Sequence, residues 1–336
     1  MLDRTCPPAS KSVKRFDFTE ASTFLTSNGI PVHVINAGNH DIIRIEVVFK
    51  SGKWIEKITG SSFFCSKLLS EGSKRKSSHE ISEFFDKYGA FFQVHPGMDY
   101  VSFSLYSLNR YLDSLLPVVY EILTEPAFPE EELETQKNIK IQQLRVSEEK
   151  NSFVASRNYK RLIFGVEHPY GTDLTIEGIK DDINRGVLVD FYRDHLMSSP
   201  EIFISGKITN QDLDLIKSIF ERMDYHKREI HKKEKDFQKG EHVTISKEKS
   251  VQVSLRYGKP IVNKGHKDFI DLLILNEIFG GYFGSRLMKS IREEKGYTYG
   301  IYSSIISMIH DAYFVIASDV KKEFAEKVVE DINHEI

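Results

Sequence analysis

The chain is short of cysteine, of long apolar runs and of excess charge of one sign, and each shortage removes a class of protein. Two cysteines, Cys6 and Cys65, are too few for a disulfide framework or a thiolate metal cage. No apolar stretch approaches the roughly 20 residues that span a bilayer, and the opening MLDRTCPPASKSVKR has no apolar signal-peptide core. We therefore expect a cytoplasmic chain with no membrane partner. A net charge of −3 and a pI near 6.5 give no reason to expect nucleic acid. Catalytic motifs are missing as well. There is no G-x-S-x-G nucleophile elbow, and neither cysteine has an identifiable histidine partner. No two of the twelve histidines stand three or four residues apart, so neither H-x-x-E-H nor H-E-x-x-H exists in any frame. His79-Glu80 is followed by Glu83 and Phe84 and reads as a surface helix.

What is present is enough apolar surface for two cores: 336 residues, 40% hydrophobic and 28% charged. Residues 224–241 divide the chain, since 11 of these 18 are charged and read as a solvated linker. They separate a first domain at 21–223, preceded by an extension at 1–20, from a second at 242–336. In the first, Phe24 to Ile35 reads as a hairpin around Asn28-Gly29, and Ile43, Ile45, Val47 and Phe49 alternate with Arg44 and Glu46 as in a half-buried strand. Helices follow at 62–69 and 79–88, the second stopped by Gly89, then strands at 91–94 and 101–105 and a helix at 112–123. The second domain repeats this order, with a strand ending near Tyr257, helices at 269–278 and 285–295 stopped by Gly296, strands at 297–303 and 313–317, and a helix at 324–332. The first unit continues with helices at 126–146, 157–164, 178–193 and 212–223 and a strand at 201–205. The second stops at Ile336 before any counterpart, so we expect a C-terminally incomplete second domain and a fragment of a longer product. The fold class expected is α+β, as two tandem homologous domains, each an antiparallel-rich sheet with helices packed against it.

Residues 280–299 read GGYFGSRLMKSIREEKGYTY. Arg292 on a helix and Tyr299 on the following strand flank the bend at Gly296, and such a pair can bind a peptide carbonyl and steady an oxyanion. The same spacing also suits a plain solvated helix face. Gly280 and Gly281 are candidate substrate-binding positions; they join two helices and lack Gly-Lys-Ser, which argues against a phosphate loop. Tyr282, Phe283, Tyr297 and Tyr302 either line a peptide surface or fill a core. His168, before Pro169, reads as a packing or turn residue.

The 280–299 segment resembles the second-domain signature of the inverted-zincin peptidases, the group of pitrilysin, insulin-degrading enzyme and mitochondrial processing peptidase. His168-Pro169-Tyr170-Gly171, Phe128-Pro129-Glu130-Glu131-Glu132 and Leu69 to Ser73 resemble the family in the same order. The resemblance implies one half of a clamshell in which one half holds zinc on a first-domain helix and the facing half presents an arginine and a tyrosine. Aligned on Gly72-Ser73, the family's two histidine positions fall on Phe63 and Lys67, its general-base position on Ser66, and its third ligand on Gln142 or Gln143. No zinc is expected in this chain. The resemblance implies a homologous H-x-x-E-H partner subunit that carries the zinc, an extended peptide substrate, and Arg292 and Tyr299 acting in trans. The alternative is an inactive scaffold or peptide-binding homologue; a self-sufficient peptidase with an unrecognised site is a third reading.

Overall fold

A computed structural model of the protein describes residues 17–230, 242–247 and 250–336, together with Thr5, Ser12 and Arg15. Most of the expected extension at 1–20, and the expected linker from 231 to 241, lie outside the described residues.

The alternation in β3 (Ile42–Phe49) sets the first domain. Ile43, Ile45, Val47 and Phe49 are buried on one face, while Arg44 and Glu46 pair at 2.7 Å on the other. β3 lies inside a six-stranded sheet ordered β1-β2-β6-β3-β5-β4, formed with β1 (Ser22–Leu25), β2 (Pro31–Asn36), β4 (Phe91–Pro96), β5 (Val101–Leu108) and β6 (Glu201–Gly206). β2 and β6 run parallel and the other pairs antiparallel, and β1 and β2 form the hairpin expected at Asn28-Gly29, where Gly29 has φ +87°. Phe64 and Leu68 of α1 (Ser61–Leu69) and Leu115, Leu116 and Val119 of α3 (Leu112–Thr124) share one core with Phe103 and Leu105 of the sheet. α1 begins at Gly60 without a side-chain cap of its own. The Glu56 carboxylate takes that role, accepting the N–H of Gly60 at 3.0 Å and of Ser62 at 2.8 Å. α2 (Ser78–Lys87) opens on a capping box of Ser77 and Glu80, and the chain leaves it through Gly89 at φ +59°.

The long continuation is α4 (Glu130–Glu149), α5 (Asn151–Phe164), α6 (Ile176–Asp181), α7 (Arg185–Phe191) and α8 (Asn210–Phe220). The single helix expected over 178–193 is two helices. Asn184 accepts the Val187 N–H at 3.1 Å and so caps a new helix start, with Ile183 buried between the two. The charged stretch from 224 also begins as packed chain. Tyr225 packs on the first core and donates its hydroxyl to the Asn28 carbonyl at 2.8 Å, and Ile230 lies against the cluster between the domains. Its charge count had hidden both residues.

The second domain repeats the first unit. β7 (Gln252–Ile261), β8 (Thr298–Ser307) and β9 (Ala312–Lys321) form a sheet ordered β7-β9-β8, matching β3-β5-β4 strand for strand in chain order. α9 (Phe269–Asn276) stands where α1 stands in the first unit, and α10 (Ala325–Glu335) where α3 stands. α9 continues as a wider π-helical turn over Glu277–Gly281, and the next helix widens likewise over Met288–Glu294. In the first unit α4 and α7 pack on α1, whereas α9 leaves Ile270, Ile274 and Leu275 exposed.

The domains meet at the tip of the β8–β9 hairpin. Trp54, 1% exposed, stacks on His310 at 4.1 Å between ring centroids and meets His168 and Tyr170 on its other sides. Phe164 stacks on His168 at 5.2 Å, and His168 Nε2 lies 4.0 Å from Asp311 Oδ2. Buried Asp99 accepts the Tyr170 hydroxyl on one oxygen and the Ile309 N–H, at 3.0 Å, on the other. Desolvation and this carboxylate push the Tyr170 phenol's pKa well up, which keeps it a donor. Tyr159 of α5 donates to the Phe314 carbonyl at 2.5 Å through the space left by Gly258, where a Cβ would stand 2.4 Å from the phenol oxygen. Asp99→Asn must turn an amide NH₂ towards one of two donors. It should destabilise the protein by about 1–3 kcal/mol and split chemical unfolding into two transitions; a curve superimposable on wild type would contradict this bridge.

Candidate functional site

Arg292 and Tyr299 lie on either side of one helix stop. The helix ends in a paired turn: Gly296 at φ +66° donates to the Arg292 carbonyl at 3.1 Å, and Tyr297 donates to the Ile291 carbonyl at 3.2 Å. The bonds span four and six residues, each one residue wider than in a Schellman motif, as follows from the π-helical turn they close, and glycine takes the left-handed position without Cβ strain. The Arg292 guanidinium lies 4.6 Å from the centroid of the Phe283 ring and 3.9 Å from Glu293, with the side chain about one third exposed. Phe283 thus acts as a cation–π platform for Arg292 rather than as core. Tyr282 and Tyr302 are exposed too, while Tyr297 stacks on Phe324 at 4.6 Å.

Tyr299 sits in a β-bulge. Thr298 pairs with Val320 and Ile301 with Ser318, so Tyr299 and Gly300 together oppose Asp319 alone. Hydroxyl groups pin the irregularity: Thr298 accepts the Gly300 N–H at 3.1 Å and donates to the Asp319 carbonyl at 2.7 Å, and Ser318 donates to the Gly300 carbonyl at 2.9 Å. A bulge re-aims a side chain, and here the Tyr299 side chain is 90% exposed; among the described residues its hydroxyl makes no hydrogen bond. The site is an arginine and a phenol displayed at the start of an edge strand. Gly280, by contrast, is buried, and a Cβ there would meet Ser303 at 2.4 Å; Gly281 faces Glu277. Gly280 is therefore a close-packing position between a helical turn and β8.

The first-domain helix presents no set of metal donors. Ser66 is buried and donates back to the Ser62 carbonyl at 2.8 Å. The Lys67 ammonium donates to the Val94 carbonyl at 3.3 Å, and the Phe63 ring carries Lys140 of α4 at 4.3 Å from its centroid. Gln142 and Gln143 are exposed. A ring, an internally bonded hydroxyl and an ammonium do not fit a zinc dication. Among the described residues, no group of three or more His, Cys, Asp or Glu side chains is placed to hold a metal, and no helix is long and apolar enough to cross a membrane.

His168, whose role the sequence placed in packing, lies buried between the domains. The Phe283 platform, the Thr298 and Ser318 pins and Lys140 were not found from sequence. A threonine directly before the tyrosine and a phenylalanine nine residues before the arginine are too common to signal such roles.

Comparison with known proteins follows this division. Residues 32–165 match the family described as Insulinase (Peptidase family M16), and residues 182–336 match Peptidase M16 inactive domain. A Bacillus subtilis protein named "Uncharacterized zinc protease YmxG" is 25% identical over 287 residues, 83% of this chain and 69% of that protein. A Helicobacter pylori protein named "Non-peptidase homolog YmxG" is 23% identical, over 84% and 67%. The crystal structure of a peptidase M16 inactive domain from Pseudomonas fluorescens superposes with a TM-score of 0.84 at 23% identity, covering 94% of this chain and 79% of that one. At that identity the likeness speaks for the fold alone.

Two measurements check the site. Protein purified without a metal-affinity step should hold far less than one zinc per chain; stoichiometric zinc that is lost on Lys67→Ala would overturn the reading of α1. Thr298→Val keeps the branched shape and removes the two Thr298 pins while leaving that of Ser318, so hydrogen exchange at the Gly300 amide should accelerate while the fold persists, at a cost of about 1–2 kcal/mol. Unchanged exchange there would show that the bulge does not need the hydroxyl.

Proposed function

The chain belongs to the insulinase family of peptidases, family M16, and from that premise we propose that it is the zinc-less subunit of a two-chain peptidase. In this reading a homologous partner carries H-x-x-E-H and the zinc, the two chains enclose an extended peptide, and this chain supplies Arg292 and Tyr299 in trans. The observation that carries the reading is the exposed phenol of Tyr299 on a pinned bulge, across one helix stop from an arginine held over Phe283. Arg292 binds a backbone carbonyl of the substrate. Tyr299 donates its proton in a hydrogen bond to the oxyanion that forms when water adds to the scissile carbonyl, and the hydroxyl is free to do so. Because Tyr299 is displayed rather than buried, no protein bond has to break before it can donate.

The zinc belongs to the partner in this proposal, which fits a first domain whose α1 carries Phe63, Ser66 and Lys67 where ligands and base would stand. Peptide addition to a sheet edge suits the exposed ends of both sheets, β4 in the first and β8 in the second. The second reading is a scaffold or peptide-binding homologue without a catalytic role. The Helicobacter pylori relative's name, which calls it a non-peptidase homologue, favours that reading for the chain on its own.

Tyr299→Phe separates the two readings, because it removes one hydroxyl at a surface position and leaves packing alone. Turnover of an unstructured peptide by the reconstituted pair should fall about 100-fold with KM little changed. Arg292→Ala should raise KM as well. Both variants should assemble with the partner and melt as wild type does. Turnover within about twofold of wild type for Tyr299→Phe, in a pair shown to be assembled, would remove the catalytic role.

A further inference from the structure

The face of α1 that lacks metal donors carries two ammonium groups. Lys67 follows Phe63 by four residues and so shares its face of α1, and Lys140 of α4 reaches across to lie 4.3 Å from the Phe63 ring centroid. Both side chains are half-buried. Lys67 spends one N–H on the Val94 carbonyl, at 3.3 Å, which places its ammonium at the edge strand β4 and leaves two donors free. Among the described residues no carboxylate lies within 4.0 Å of either group. The contrast with α4's preceding lysine is direct: Lys137 pairs with Glu134 at 2.9 Å and donates to the Ile183 carbonyl at 3.1 Å. Glu71, one turn beyond Lys67, is already engaged, with one oxygen taken by Ser78 at 2.6 Å and the other by Gln136 at 3.1 Å.

Two like charges held on one partly desolvated face raise the free energy of the empty protein. Burial, and then the charge of Lys67, lower the Lys140 pKa. An anion placed between the groups removes both costs and takes up their free donors. Phe63, under Lys140, holds that ammonium by its ring face and cannot neutralise it.

We infer that Lys67, held at the Val94 carbonyl of the edge strand β4, and Lys140, held over the Phe63 ring on the same face of α1, form a binding site for a carboxylate of the peptide that this chain holds. The inference rests on the reading of the chain as a peptide-binding subunit and names a substrate class for it: peptides that bring an acidic side chain or a free C-terminus to α1. The dication site of a zinc-bearing half would bind and polarise a carbonyl, whereas this ammonium pair binds an anion. Its role is to hold and position, and no bond is made or broken there.

The test is equilibrium binding by the full chain without a partner, so that it is independent of turnover. Four unlabelled, N-acetylated, unstructured dodecapeptides of otherwise neutral sequence serve as probes. One has a central Glu and a free C-terminus, one replaces Glu by Gln, one has an amidated C-terminus, and one has both changes. Isothermal titration calorimetry should show the doubly neutral peptide binding about 10-fold or more weakly than the acidic one, with the single changes showing which carboxylate is used. Lys67→Met/Lys140→Met should abolish the preference, and Lys140→Met alone should reduce it. Both variants keep the apolar stems and remove like-charge repulsion, so their melting temperatures should match or exceed that of wild type. Equal affinity for acidic and neutral peptides, or a preference that survives the double variant, overturns the carboxylate site and leaves peptide binding standing. Failure of the chain to bind any of the four overturns both.

Discussion

The contact on which the rest depends is the insertion of the β8–β9 tip into the first domain, where Trp54 stacks on His310 and Asp99 bridges Tyr170 to the Ile309 backbone. β8 runs ten residues from Thr298 to Ser307, roughly 30 Å at the usual strand rise. Its far end is fixed in the aromatic cluster and its near end carries the Tyr299 bulge. A strand in a hydrogen-bonded sheet is stiff, so the cluster sets where Tyr299 and Arg292 point relative to α1 although it touches neither. His168, Tyr170 and Asp99 therefore matter to the site through geometry. This explains why the His168-Pro169-Tyr170-Gly171 stretch carries family resemblance without chemistry of its own: it builds the socket for the hairpin of the second domain.

Charge logic separates the two halves of each unit. In the first domain the two positions that the family resemblance aligns with histidine ligands, Phe63 and Lys67, carry a ring and an ammonium. Together with Lys140 they form a face that repels a dication. Had the face merely decayed, apolar or paired residues would satisfy it at lower free energy, as Glu134 does for Lys137 nearby. In the second domain the equivalent helix, α9, keeps no charged cluster, and the polar chemistry moves to the next helix and β8. The repeat is thus asymmetric in function while symmetric in topology.

Much of the fold was legible because it rests on local rules. The alternation of β3, the Asn28-Gly29 hairpin and the stops at Gly89 and Gly296 each follow from residue chemistry within a few positions, and the strand order β7-β9-β8 repeats β3-β5-β4. Misreadings arose where a local signal was overridden or shared. Within the expected helix at 178–193, Asn184 caps a second helix, and an asparagine inside a helical pattern carries no local mark of that role. Tyr225 and Ile230 were masked by their charged neighbours, since charge density says nothing about which single side chain turns inward. Arg292 and Tyr299 were legible only as a pair at a spacing. What makes them a site, the Phe283 platform and the threonine and serine that pin the bulge, depends on contacts between strands and on ring geometry that no spacing encodes.

The display of Tyr299 also bears on why such a chain would keep this pair. Single exposed aromatics are ordinary on protein surfaces and need no explanation. A bulge interrupts the β8–β9 ladder, and three hydroxyl-mediated bonds are needed to fix it. The paired turn at Gly296 fixes the backbone on the other side, and Phe283 holds the guanidinium that would otherwise sample many rotamers. Within the described residues the Tyr299 hydroxyl makes no hydrogen bond and the Arg292 guanidinium meets only the Phe283 ring and, at 3.9 Å, Glu293, so the restriction lowers entropy for little gain in the folded protein. Such pre-organisation is of use only when a second molecule is met, because the ordering cost is then already met before binding. The two restraints differ in kind: Phe283 holds the guanidinium itself, whereas the bulge fixes only the backbone from which the Tyr299 phenol projects.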